Sequence, residues 1–274
     1  MKIIAITVAL LAGIWSASAQ RVGFAYWNVD RLYDTEASPF CDDEAFTPEG
    51  RYGWTEERYR RKVNGVAAVA DSMAMPVTVL YGVENEAVVR DIAAACTLDY
   101  SYLHRTIDSH GGLDFALLYF GDVLLPHRTE SDGRNVAVHC TVAGRRMVLV
   151  LSRDSVRAHE MAGRIRRDDP SAAVMIMGRC DAAAAASCGL ADTFAGEERA
   201  GRGASLRGGV WSFDERICVD TLLDTRAAVY ARRRLFDRRG RAPLPTFTGA
   251  RYTGGVSRWL PLTVIAEWRD ESGR

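Results

Sequence analysis

With 274 residues, 48% of them hydrophobic and 26% charged, the chain has enough apolar material for one large core or two small ones. Its formal net charge of +0 excludes bulk electrostatic capture of nucleic acid, which needs clustered positive charge, and leaves only a local basic site open. The basic residues are almost all arginine, with Lys2 and Lys62 the only lysines.

Residues 1–20 read as a secretory signal peptide. Lys2 supplies a short positive start, an apolar run follows to Trp15, and Ser16-Ala17-Ser18-Ala19 offers small residues before a cut near Ala19 or Gln20. The run is shorter than the roughly 20 apolar residues of a membrane span. The expected mature domain is 21–274, with a charge of about −1 once Lys2 is removed. It is expected to be exported, periplasmic or extracellular, with no membrane span after cleavage. Export makes Cys41, Cys96, Cys140, Cys180, Cys188 and Cys218 candidates for disulfides. None forms a C-x-x-C pair, which leaves a zinc site little support. Cys96, Cys140 and Cys218 sit in apolar surroundings and read as buried thiols; Cys180 with Cys188 is the first pair to test.

Along the chain, residues 22–29 read as a core strand, and 30–54 as a long loop with a turn at Thr47-Pro48-Glu49-Gly50. Residues 55–73 read as a helix, with Val63, Val66, Ala67, Ala70 and Met73 on one face. A strand at 77–81 and a helix at 85–96 follow, then strands at 113–120 and 136–142, the second turning through Ala143-Gly144 into 147–151. Asp154 can cap a helix that runs to Arg167. The apolar run ending at Gly178 reads as a buried strand that presents Arg179, Cys180 and Asp181 on the following loop. Residues 182–186 favour helix and 197–209, rich in Gly and Arg, read as mobile. Closing strands are expected at 210–219 and 262–268, separated by a basic helix around 226–239. This order points to a layered α/β or α+β domain without repeats.

Several chemistries find little support. The five histidines lack metal-ligand spacing, Ser152-Arg153-Asp154-Ser155 is no nucleophile elbow, and Arg232-Arg233-Arg234 with Arg238-Arg239 reads first as a solvated face.

Framework motifs carry more. Trp27-Asn28-Val29-Asp30, Phe46-Thr47-Pro48-Glu49-Gly50, Val83-Glu84-Asn85, Leu113-Asp114-Phe115-Ala116 and Gly249-Ala250-Arg251-Tyr252-Thr253-Gly254-Gly255 occur in one order. In that order the chain resembles the endonuclease/exonuclease/phosphatase superfamily, in particular secreted Bacteroidetes-type members. The resemblance implies an α+β fold, a four-layered αββα sandwich of the metal-dependent phosphodiesterase (DNase I-like) type. It also implies Mg²⁺ held by carboxylates, an Asp that activates water, and a His paired with an acid.

Carried over by position, that chemistry is mostly missing. Asn28 matches the family's first Asn. Gly82 stands where the family has its metal-binding Glu, and Glu84 is only the second acid of that motif. The family's Gly-Asp-Phe-Asn reads Gly178-Arg179-Cys180-Asp181, and its Ser-Asp-His-Leu-Pro reads Ser257-Arg258-Trp259-Leu260-Pro261. Glu215 matches the acid that orients the lost His, and the family's second His has no counterpart near Leu151-Ser152-Arg153.

The expectation is a catalytically impaired relative. Asn28, Asp181 and Glu215 are its residual catalytic positions, and Arg179, Arg258, Asp114 and Glu84 its candidate binding residues. No metal or other cofactor is expected. The partner would be a phosphate-containing ligand held by guanidinium groups, nucleic acid being disfavoured by charge and a protein partner left unspecified. The alternative is an active secreted metal-dependent endonuclease or phosphodiesterase. A third class, a structural partner, would have Trp259 and its neighbours filling the old cleft. Arg179 and Arg258 should both face the former metal site, balanced or not by Asp181, Glu215, Asp114, Asp30 and Glu84.

Overall fold

The computed structural model describes residues 21–109 and 111–269, so the expected signal peptide lies outside the described residues. In chain order the elements are β1 (Val22–Leu32), α1 (Glu56–Met73), β2 (Val77–Val83), α2 (Glu86–Ala95), β3 (Ser101–Arg105), β4 (Asp114–Tyr119), β5 (Leu124–Ser131), β6 (Asn135–Val142) and β7 (Arg145–Ser152). They continue with α3 (Ser155–Asp168), β8 (Ala173–Gly178), α4 (Ala182–Ser187), β9 (Leu190–Asp192), α5 (Ala195–Arg199), β10 (Ser205–Arg207), β11 (Val210–Ser212) and β12 (Arg216–Asp220). The last are β13 (Leu223–Val229), β14 (Phe247–Thr248), β15 (Arg251–Tyr252) and β16 (Leu262–Trp268).

Two six-stranded mixed sheets form the body, in the orders β13-β16-β1-β2-β4-β3 and β5-β6-β7-β8-β12-β9. Each has one parallel pair at its centre, β1 with β2 and β7 with β8. A parallel pair needs a crossover, and a helix supplies it in each case, α1 in the first sheet and α3 in the second.

The strand sequences show why both sheets are covered on two sides. On β7, Met147, Leu149 and Leu151 join the core between the sheets, while Val148 and Val150 join a second cluster with α3. On β8, Met175 and Met177 face inward, and Val174 and Ile176 face Ala158, Met161, Ala162 and Ile165 of α3. Successive side chains point to opposite faces, so a strand buried on both sides reads as an unbroken apolar run. Each such side chain contributes about 1.5–3 kcal/mol of burial. The expected apolar face of α1, Val63 through Met73, is buried against the first sheet.

Local expectations fail where propensity met pairing. No basic helix spans 226–239: β13 pairs antiparallel with β16 from Leu223–Trp268 to Val229–Leu262, and a single 3₁₀ turn, Arg233–Leu235, follows. Thr-Arg-Ala-Ala-Val carries good helix formers, but the open edge of β16 satisfies its backbone, and tertiary pairing overrides propensity. The expected strand at 210–219 is two, β11 in a small ribbon with β10 and β12 in the second sheet. The stretch expected to be mobile, 197–209, contains the end of α5 and β10. Cys180 pairs with Cys218, and Cys188 is free. The six residues of α4 lie between Cys180 and Cys188 and hold them about 9 Å apart along the helix axis, out of disulfide reach. Cys218 is therefore no plain buried thiol.

Candidate functional site

The C-terminal ends of β1, β2, β7 and β8 and the N-terminal ends of β12 and β16 meet on one side of the sandwich. Asn28, Gly82, Arg153, Arg179, Glu215 and Arg258 lie at these ends. Ser152 ties β7 to the loop after β8: its carbonyl accepts from Arg179 N at 2.9 Å and its hydroxyl donates to Arg179 O at 2.6 Å. A Cβ at Gly178, where φ is 125°, would sit 2.3 Å from Ser152 O, so only glycine allows this close approach.

Glu215 is the centre of the buried part. Its carboxylate accepts from Asn28 Nδ2 at 3.0 Å and from Arg153 Nη1, and Arg153 also lies over the Tyr81 ring with Cζ 3.8 Å from the centroid. Burial pushes the Glu215 carboxyl up from its ordinary range, against the downward pull of Arg153, Asn28 and Tyr26. Asn28 is fully engaged, since its Oδ1 accepts from Asp30 N at 3.1 Å and its backbone carbonyl from Ser257 Oγ at 2.6 Å.

Beside it, Arg258 Nε donates to Asp30 Oδ2 at 3.0 Å. Asp30 and Arg31 both have positive φ, 55° and 56°, and Lys62 reaches out of α1 to hold this strained bend. Its Nζ donates to Asp30 O and, at 3.1 Å, to Arg31 O. Burial, with Arg31 and Arg258 nearby, lowers Lys62 to about 7 although Asp30 opposes the shift.

Arg179 is different. It is exposed at the rim of an open cleft of about 570 Å³, lined also by Arg134, Arg153, Asp154, Asp181 and Arg207. Among the described residues no carboxylate lies within 4 Å of Arg179 or Arg134. The acids of the cleft have other work: Asp154 Oδ1 caps α3 through Arg157 N, Asp181 Oδ1 caps α4 through Ala184 N at 2.8 Å, and Asp214 pairs with Arg207 at 2.9 Å. Trp259 is half-buried at the edge, with its indole N–H 3.4 Å from Asp214 Oδ2.

The remaining two candidates point elsewhere. Asp114 accepts from Ile107 N at 3.0 Å and lies 3.0 Å from His104 Nε2. Glu84 accepts from Asp34 N at 2.7 Å and sits with Asp43 and Cys41, the three offering atoms within 4.8 Å of one another. Burial pushes the Glu84 carboxyl up to about 8. Of the five acids expected to balance Arg179 and Arg258, only Asp30 does so, for Arg258; Glu215 is taken by Arg153. Arg153 and Lys62 are therefore the polar residues the motifs did not reveal. The signal for Arg153 was its place, directly after β7, where the family's second His loop has no counterpart.

The model of the endonuclease/exonuclease/phosphatase family matches residues 23–161, just over half of the chain. The chain belongs to this family. A family protein from Bacteroides thetaiotaomicron superposes with a TM-score of 0.60 at 14% identity, covering 92% of this chain and 96% of its own. One from Bacteroides vulgatus gives 0.57 at 10%, covering 91% and 100%. D. rerio TDP2 complexed with a single-strand DNA product gives 0.54 at 12%, covering 90% and 98%. At these identities the likeness establishes the fold, an α+β sandwich of two facing sheets. The sequence matches none of the curated proteins with which it was compared.

The Mg²⁺ that this family's chemistry implies does not fit the residues at the site. A hard divalent cation needs several free oxygen ligands. Here Gly82 offers no side chain. Glu215 is bound by Arg153, Asp30 by Arg258, and Asn28 Oδ1 by a backbone N–H. Guanidinium groups stand where carboxylates would be required, and like charges repel in a partly desolvated cleft.

Proposed function

We propose that this protein is an exported, catalytically impaired member of the endonuclease/exonuclease/phosphatase family that binds a phosphate-type anion without a metal. Arg179 carries the reading. Its guanidinium is exposed at the cleft and has no carboxylate within 4 Å among the described residues, while the neighbouring acids cap helices or form other pairs. A guanidinium with open donors takes phosphate oxygens in a bidentate manner, and Arg134 can add a second such contact. Glu215, Asn28 and Arg153 form the floor that holds the cleft in shape rather than a proton-transfer set, because the Glu215 carboxylate is already engaged by the Asn28 amide and the Arg153 guanidinium. Export rests on the leader-like residues 1–20, and no helix among the described residues is long and apolar enough to cross a membrane.

The test is hydrolysis of plasmid DNA and of a generic phosphodiester with Mg²⁺ or Mn²⁺, using protein from a host that lacks its own nucleases. The expected result is no turnover above that of a heat-inactivated control. Robust metal-dependent turnover that disappears in Asn28→Ala would establish the active phosphodiesterase instead.

A further inference from the structure

The strongest concentration of charge on the molecule lies outside the cleft. Between β13 and β14, six arginines, Arg232, Arg233, Arg234, Arg238, Arg239 and Arg241, are all exposed. The only acid in residues 230–251 is Asp237, and its carboxylate is occupied by the backbone N–H of Arg241 at 2.9 Å. Among the described residues none of the six has a carboxylate within 4 Å, although the whole chain is neutral and arginines such as Arg60, Arg166 and Arg216 are paired.

The segment is also fixed. Arg233 donates to the carbonyls of Asp237, at 2.6 Å, and of Arg238, closing the loop on itself. Arg234 donates to Ala68 O of α1 at 2.6 Å, and Tyr230 OH donates to Ser72 Oγ at 2.5 Å. Two arginines thus shape the platform through backbone carbonyls and keep their charge, while Arg238, Arg239 and Arg241 project without a side-chain hydrogen bond among the described residues. A loop held open this way loses little conformational entropy on binding.

We propose that this arginine platform docks the protein on an anionic phospholipid surface. None of the six arginines lines any of the main cavities, so the platform suits an array of phosphates rather than one enclosed anion. Single-stranded nucleic acid calls for exposed rings on which bases stack. The nearby rings, Tyr230 and Phe236, are half-buried, with Arg232 over the first and Trp211 packed against the second. The large exposed apolar residues, Phe40, Leu125, Val156 and Val210, all lie in other segments, so nothing on the platform would insert among lipid tails. Binding is therefore electrostatic, peripheral and reversed by salt. This inference does not depend on what the cleft binds.

The experiment is co-sedimentation of the mature protein with vesicles of phosphatidylcholine containing about 30% phosphatidylglycerol, at about 50 mM and about 0.5 M NaCl. The protein should pellet with these vesicles at low salt, stay in solution at high salt, and ignore vesicles of phosphatidylcholine alone. Each arginine near the surface is worth about fivefold in partitioning, so the triple change Arg238→Ser, Arg239→Ser, Arg241→Ser should weaken binding about 100-fold without moving the melting temperature. Lysine at the same three positions should restore binding, since the platform reads charge. Equal pelleting with neutral vesicles, failure to pellet with anionic ones, or full binding by the serine variant overturns the proposal. A preference for a single-stranded oligonucleotide over anionic vesicles at the same salt, abolished by the serine changes, also overturns it and assigns the platform to nucleic acid.

Discussion

Glu215 and Glu84 are both carboxyl groups buried at strand ends, and burial raises both, but their neighbours differ. Glu215 has two partners, the Arg153 guanidinium, itself stacked on Tyr81, and the Asn28 amide, which offset its charge inside the fold. Glu84 faces Asp43 and Cys41, and its carboxylate accepts from the backbone N–H of Asp34. Burial drives its carboxyl up to about 8 and favours the protonated form, with no Lys or Arg paired to it among the described residues. At Glu215 the Arg153 guanidinium, Asn28 and Tyr26 oppose the effect of burial, an opposition that Glu84 receives only from the backbone N–H of Asp34. In the cleft, Glu215 with Arg153 and Asp30 with Arg258 are such acid–arginine pairs, while Arg179 has no carboxylate within 4 Å among the described residues.

The largest expected effect comes from breaking the compensated centre. Glu215→Ala leaves Arg153 buried without its carboxylate and should cost about 3–5 kcal/mol in urea-induced unfolding. The paired change Glu215→Leu with Arg153→Met removes both charges and should recover most of that loss, which a double-mutant cycle measures directly.

Next in size is the pH response of the uncompensated acid. The folded Glu84 carboxyl titrates near 8 against an ordinary 4.5, so its contribution is complete below about 4.5 and is lost as pH rises through 8. Between pH 5 and pH 9 this should remove roughly 2 kcal/mol, a figure reduced for solvent screening at the edge of the cluster. Glu84→Gln, which keeps the shape and cannot ionise, should flatten that part of the profile. A urea midpoint that rises with pH in the unaltered protein would contradict the assignment.

The smallest effect is at the half-open pair. Arg258 is largely exposed while Asp30 is buried, so Arg258→Ala should cost at most about 1 kcal/mol, with Arg31 at 3.8 Å remaining near the acid. It should also raise the midpoint of Lys62, because one of the charges holding that lysine low is gone.

Much of the frame was legible because strand burial writes itself as alternation. Leu149 and Val150, or Met175 and Ile176, go to different clusters, and no other arrangement buries both. The family motifs singled out Asn28, Glu215, Arg179 and Arg258, and these four lie at strand ends on one side of the sandwich. What they could not give was partner choice. Arg153 competes successfully for Glu215 because it leaves β7 directly beneath Tyr81, a three-dimensional fact with no spacing signature. Lys62 sits in an ordinary helical pattern next to Arg60 and Arg61, and only the left-handed bend at Asp30 and Arg31 explains why it turns inward. The edge strand at 223–229 was hidden by its helix-favouring composition, and the Cys180–Cys218 bond by a sequence separation of 38 that sequence alone cannot fold.

The most direct measurement of the central claim is calorimetric titration of the protein with inorganic phosphate and with nucleotides in the presence of EDTA. Binding that persists under chelation and is lost in Arg179→Ala is the predicted result. No heat at millimolar ligand, or binding that appears only when Mg²⁺ is restored, would contradict a metal-independent anion site.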